Sequence, residues 1–218
     1  MDHLATDVDK VVVKGVKFEA VVGLDLWHRP NKLQPVELEV HLTPPGGLEA
    51  AAQEDAVAYT IDYGKLYKSL RAVVFDQKFD GITQLYQAIK TSLPETTSWH
   101  INIALPKAIL AANNGLCVTW TGHVDESGPS SVMQVMMVRD IECRCIIGVN
   151  SHERLEKQRL GITILVWGLE NRLSPSILAG VSIDPCPNLV YQDLVKEVVD
   201  VSSITHHMLQ ALLTVAAC

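Results

Sequence analysis

The spacing of apolar residues predicts an α+β fold in which antiparallel strands flank a pair of helices. Two observations carry this. Segments of two-residue alternation and segments of helical period follow one another as strand, strand, helix, helix, strand, strand. The pattern then restarts, so the chain reads as a tandem repeat whose second copy stops short.

Residues 11–23, VVVKGVKFEAVVG, are β-branched and alternating, and predict a strand. Val36, Leu38, Val40 and Leu42 alternate with Glu37, Glu39 and His41, which predicts a half-buried strand with one wet face. The turn-rich LWHRPNKLQP between them makes the pair an antiparallel hairpin with a long loop suited to function. PPGG at 44–47 punctuates. From Asp62, a capping residue, DYGKLYKSLRAVV places Leu66, Leu70, Val73 and Val74 at helical spacing. A second helix runs from about Gly81 to Ser92, with Ile82, Leu85, Ala88 and Ile89 on one face and Pro94 beyond its end. INIAL at 101–105 and LCVTW at 116–120 are two further strands.

Residues 122–133, GHVDESGPSSVM, read as a polar linker, with one unit before it over 8–121 and a second over 134–218. VVGLDLWHR at 21–29 matches IIGVNSHER at 146–154, at constant offset from Gly23/Gly148 to Arg29/Arg154. Gln34 then matches Gln158 after a one-residue gap, and Leu160, Ile162, Ile164 and Val166 repeat the alternating strand. YGKLYKSL at 63–70 matches YQDLVKEV at 191–198, and a last helix is expected over about 205–215. Polar positions agree as well as apolar ones, which chance likeness among strands does not produce. The second copy carries an insertion-like segment, NRLSPSILAGVSIDPCPN, and lacks its last two strands.

The net charge of −7 without a clustered basic face argues against nucleic acid as a partner. No apolar run approaches the roughly 18 residues that span a bilayer, so no membrane is expected. MDHLATDVDK has no apolar signal region, and the five cysteines have no disulfide-scaffold spacing. A reducing, cytoplasmic setting is the simplest expectation. Cys143 and Cys145 share a strand face and read as core thiols; Met133, Met136 and Met137 read as packing residues. His206 and His207 are adjacent on a helix, which separates them by about 100°, a poor chelating geometry.

Gly-x-Asp-x-Trp-x-Arg at 23–29, Gln34-Pro35, and Asp-Tyr-Gly-x-Leu-Tyr-Lys at 62–68 resemble the dihydroneopterin aldolases. Two copies in tandem resemble the front end of fungal folate-synthesis proteins, whose second copy carries a stretch that ERLEKQ at 153–158 fits. The resemblance covers most of residues 8–121 and, more patchily, 138–215. It implies the tunnelling fold, or T-fold: four antiparallel strands with two helices on one face, closing into rings with active sites between neighbouring units. A homo-oligomer joined through sheet edges follows, and ring closure removes the exposed edges.

The resemblance also implies a retro-aldol reaction with no metal, Schiff base or other cofactor, since the pterin ring accepts the electrons. The protein then holds a small-molecule substrate and moves protons. In the family a Tyr from the neighbouring unit sits by the hydroxyls, and this chain keeps it as Tyr63. The loop Glu position is His28 in the first repeat and Glu153 in the second. The Glu that grips the guanidine-like ring edge falls at Thr83, and in the second repeat at His207 or Met208. The Lys at the end of the third strand falls at Leu105; Lys107 lies beyond Pro106, which is expected to end that strand.

Tyr63, His28 and Glu153 are therefore the expected proton handlers, with Thr83, Leu105 and His207 in the substrate pocket. A neutral Thr cannot replace a carboxylate in a charge-assisted bidentate pair. These losses point to a divergent, cofactor-free acid–base enzyme of lyase, isomerase or cyclase type, acting on a small biosynthetic intermediate in an interfacial pocket. The alternatives are aldolase or epimerase activity in folate biosynthesis, and a non-catalytic assembly module.

Overall fold

The computed structural model describes residues 9–125, 128–129, 132–146, 150–152, 155–169 and 195–200. The expected strands at the front form as β1 (Val11–Val22) and β2 (Leu33–Thr43), an antiparallel hairpin. A short helix α1 (Glu49–Gln53) and one 3₁₀ turn (Val57–Tyr59) lead to α2 (Tyr63–Val74). The Asp62 carboxylate caps α2, accepting the Gly64 N–H at 2.8 Å and the Lys65 N–H at 3.0 Å. Then come β3 (Lys78–Phe79), α3 (Ile82–Thr91), β4 (Ser98–Leu105) and β5 (Leu116–Asp125). The chain continues as β6 (Gly128–Pro129), β7 (Met133–Cys145) and β8 (Gln158–Leu169).

These strands join one sheet in the order β3-β1-β2-β4-β5-β7-β8, with β6 paired to β5. All pairings are antiparallel except the short contact of β1 with β3. The two halves of the sheet meet where β5 pairs with β7, from Leu116↔Val138 to Thr121↔Met133. Part of the segment expected as a linker is therefore strand. Gly122 is there for packing and not for flexibility, because a Cβ on it would come within 2.3 Å of the Trp99 ring.

Alternation sorts side chains onto two unlike faces. Val36, Leu38, Val40 and Leu42 of β2 and Trp99, Ile101, Ile103 and Leu105 of β4 are buried, and join Leu66, Leu70, Leu85 and Ile89 of the helices in one core. Tyr86 of α3 stacks on Trp120 of β5 with ring centroids 4.4 Å apart. Among the described residues no helix covers the opposite face, which is polar over β1, β2 and β4, where Lys14, Lys17, Glu37, Glu39, His41 and His100 lie on it, and more apolar over β7 and β8, with Met133, Leu165 and Trp167. Cys143 and Cys145 are buried, as expected. The methionines divide between the faces: Met136 is buried in the core, whereas Met133 is exposed, because the strand's alternation sends it the other way.

The hairpins β1–β2 and β7–β8 share a deformation. β1 bulges between Val13 and Val16, and β7 between Val138 and Ile141. The positive-φ residue is Gly15 at 72° in the first and Asp140 at 55° in the second. Asp140 lies at the offset that relates Gly23 to Gly148, so the second hairpin repeats the backbone of the first although the residue has changed. Residues 195–200 are helical where the match to α2 falls, with Val195 buried. The insertion-like segment at 171–188 and the expected helix over 205–215 lie outside the described residues.

Candidate functional site

The loop between β1 and β2 closes on itself. Gly23 turns the chain at φ 61°, and its N–H donates to the Phe79 carbonyl at 2.9 Å. Asp25, only 6% exposed, then acts as the hub. Its Oδ1 accepts the Trp27 and Arg29 N–H groups, each at 2.9 Å, and its Oδ2 accepts Arg29 Nε at 2.8 Å. The Arg29 terminal nitrogen lies 2.7 Å from the same oxygen. The Arg29 guanidinium holds the Asp25 carboxyl below the ordinary carboxylate range, against an opposing effect of burial. It also lies over the Trp27 ring, 4.9 Å from its centroid. The Asp-x-Trp-x-Arg motif is thus a structural lock, with both charges satisfied inside the loop.

Gln34 pins the loop from below. It is buried, and its Nε2 donates to the Val22 carbonyl at 2.6 Å and more weakly to the Leu24 carbonyl at 3.3 Å. Its Oε1 is buried with no hydrogen-bond partner among the described residues. The sequence marked Gln34 as a repeat position and as part of the resemblance; it continues the buried face of Val36, Leu38, Val40 and Leu42, and its bonds to Val22 and Leu24 are what the structure adds.

The expected site residues stand on separate elements. His28 is exposed in the loop with φ 59°, a left-handed turn, and only its backbone N–H joins the lock, donating to the Asp25 carbonyl at 2.9 Å. Tyr63 is the first residue of α2 and 73% exposed. Thr83, second in α3, has its hydroxyl oxygen buried without a hydrogen-bond partner among the described residues. Leu105 ends β4, 3% exposed, inside the core. It continues the face of Ile101 and Ile103, so the side chain at the expected lysine position meets the helix layer and lines no open surface of this chain. Lys107 follows in an exposed turn past the strand end, as Pro106 led us to expect. Glu153, His207 and the His206–His207 pair lie outside the described residues.

No hydrogen bond joins any two of His28, Tyr63, Thr83 and Leu105. A groove of about 670 Å³ at the start of α2 is lined by Thr60, Asp62, Lys65, Ser69 and Glu95 among others, and not by Tyr63. Within one chain, then, the Tyr63 ring faces outward and the Thr83–Leu105 region faces inward. Among the described residues no group of three or more His, Cys, Asp or Glu is placed to hold a metal ion, and no helix is long and apolar enough to cross a membrane.

A family model described as FolB, dihydroneopterin aldolase, matches residues 11–121. The folic acid synthesis protein fol1 of Schizosaccharomyces pombe is 29% identical over 160 residues, covering 72% of this chain and 21% of that protein. Its namesake from Pneumocystis carinii is 27% identical over 173 residues, covering 77% of this chain and 22% of that protein. The chain thus spans about a fifth of the length of these curated relatives, and both alignments are longer than the first repeat. Among solved structures, a uricase from Bacillus fastidious superposes with a TM-score of 0.59 at 11% identity, covering 94% of this chain and 72% of that one. A structure described as a putative dihydroneopterin aldolase from Vibrio cholerae covers 54% of this chain and 98% of that one, with TM-score 0.48 and 18% identity.

Proposed function

The chain belongs to the dihydroneopterin aldolase family, and from that premise we propose that it is a divergent, cofactor-free member acting on a small biosynthetic intermediate by acid–base chemistry. The observation that carries this reading is the contrast between Tyr63 and the positions it would serve. Tyr63 is 73% exposed while Leu105 is buried, as a residue that completes a neighbour's pocket must be. Leu105 is enclosed in the core and Thr83 carries only a neutral hydroxyl, so neither offers a charged anchor to a pterin edge. A pocket so lined suits a ligand less polar than a pterin. Tyr63, His28 and Glu153 are its proton handlers in this reading, and Thr83 and His207 lie at its wall, with Leu105 backing it from the core.

The chain is read as two units, 8–121 and 134–218, with 122–133 between them. The bulge shared by β1 and β7 supports that division. Further copies of the chain complete the assembly through sheet edges, in the cytoplasm. β8 stands at the end of the strand order and has one described pairing, with β7.

The test is turnover of a panel of small carbonyl and polyol intermediates, with dihydroneopterin included. We expect one panel member to turn over, a fall of roughly 10²–10⁴-fold with Tyr63→Phe, and an unchanged melting midpoint. Indifference of every reaction to Tyr63→Phe would sink the proposal.

A second reading is aldolase or epimerase activity in folate biosynthesis. It is favoured by the two curated relatives, which are named as folic acid synthesis proteins and align beyond the first repeat. Release of glycolaldehyde from dihydroneopterin at an enzymatic rate selects it over the first.

A further inference from the structure

The sheet face opposite the core holds a cavity of about 270 Å³, lined by Lys10, His41, Thr43, Ser98, Trp99, His100 and Thr121. It lies on the opposite side of the sheet from the core that takes in Leu105. His41 and His100 are directly opposite across β2 and β4, with ring centroids 5.1 Å apart. His100 is opposite Thr121 on β5, and its Nδ1 lies 3.0 Å from the Thr121 hydroxyl. His41 Nε2 lies 2.7 Å from Glu39 Oε1, and that oxygen is also 3.3 Å from Lys14 Nζ. Ser98 donates its hydroxyl proton to Thr43 Oγ1 at 2.7 Å.

The donor inventory points one way. A carboxylate only accepts, so His41 carries its proton on Nε2 toward Glu39. When the Thr121 hydroxyl donates to His100 Nδ1, the His100 proton sits on Nε2 and is available to a guest. Thr43, having accepted from Ser98, keeps its own proton to give. Lys10 supplies a fixed positive charge at the rim. None of the lining residues is a carboxylate, and Glu39 is engaged by His41 and Lys14. A metal ion suits this set poorly, because Lys10 repels it and no third protein ligand is placed for it.

We propose that this cavity is a binding site for a phosphate group, free or esterified on a small molecule. Phosphate presents several strong acceptor oxygens and up to two negative charges, which matches an ammonium, two imidazoles and a cluster of hydroxyls better than a singly charged carboxylate does. The charged and titratable groups on this face around the guest are Lys10, Lys14, Glu39, His41, His100 and, opposite Ser98 on β5, His123. Burial, then His41 and Lys10, hold His100 below the ordinary imidazole range, while Glu39 acts against them. An anion in the cavity counters the charges of His41 and Lys10 that lower His100, so binding favours the protonated form of His100.

The experiment is imidazole NMR on the full chain, titrated with inorganic phosphate, glycerol phosphate and sulfate. Sulfate keeps its charge, so it isolates the protein's own titration. We expect saturable shifts of the His41 and His100 signals, an upward move of the His100 titration, and sulfate affinity that rises as pH falls from about 8 to about 6. Lys10→Gln and His100→Asn should each weaken binding by about tenfold or more. Lys17→Gln, on the same face but paired with Glu37 at 2.8 Å, should leave it unchanged. Equal affinity for phosphate and its ester assigns the site to the free ion, and an ester tighter by about tenfold assigns it to a phosphorylated small molecule; either outcome supports the site. Shifts that never saturate, or that Lys17→Gln reduces as much as Lys10→Gln, overturn it. The chemical shifts of the unsubstituted protein decide the matter even if a variant fails to fold.

Discussion

Leu105→Ala separates a core side chain from a pocket wall. Leu105 is 3% exposed, pairs in register with Leu116 and belongs to the main core cluster. Removing a fully buried leucine to Cβ costs about 2–5 kcal/mol, the upper part reached where the cavity cannot collapse. Here Ala108, Ile109 and Ala112 of the following turn segment are buried with Leu105 and can relax toward the gap. We therefore place the loss at about 2–3 kcal/mol, in the lower half of that range. For a chain of this size about 1 kcal/mol moves the melting midpoint by roughly 2–4 °C, so a fall of roughly 4–12 °C is expected. Urea unfolding followed by tryptophan fluorescence is the assay, with a lowered midpoint and an unchanged slope. Leu105→Met should cost less than about 1.5 kcal/mol. Leu110→Ala, at a site 77% exposed, should stay within about 0.5 kcal/mol of the parent. A Leu105→Ala variant as stable as the parent refutes the placement of Leu105 in the core and returns it to an open ligand wall.

Three further outcomes are expected. Asp25→Asn keeps the shape of the hub but removes the charge that pairs with Arg29, so trypsin should cut at Lys32 faster and Trp27 should become more accessible to a soluble quencher; unchanged cleavage would mean the lock is not electrostatic. Because the Asp25 carboxyl is held below its ordinary 3.8, the lock is fully present above that value and fails only as pH falls through the lower one. His100 is held below its ordinary 6.5, so in the absence of a bound anion the unfolded chain takes up the proton first as pH falls through that range. Stability from this residue is complete above about 6.5 and declines toward the depressed value, and His100→Asn should flatten that part of the pH profile.

The fold was legible wherever one face of an element is uniformly apolar. The alternation over 36–42, the helical spacing from Asp62 and the stop at Pro106 each state a burial pattern that local chemistry then enforces. The extension of β5 was not legible, since GHVDESG looks like a linker until the Trp99 ring is seen to cover Gly122. Leu105 was readable in principle, because it continues the face of Ile101 and Ile103; the family's lysine drew attention to its position and away from its pleat. The histidine pair was out of reach. His41 and His100 are far apart in sequence and meet only through the cross-strand register, which neither segment encodes alone. The motif at 23–29 was visible as a likeness, but its role as a loop lock needed the four contacts around Asp25.

The pairing of β5 with β7 places one seam between repeats inside a single polypeptide. Association across that seam is unimolecular, governed by a tether and not by protein concentration, so dilution cannot part it. Any seam made with another copy remains bimolecular and weakens on dilution. Were copies of the chain to join, the assembly would have junctions of two kinds, and selection could act on them separately. One junction is free to lose chemistry while the covalent link preserves its geometry. Independent drift of the two repeats, with Gly15 in one bulge and Asp140 in the other, is the pattern that freedom permits.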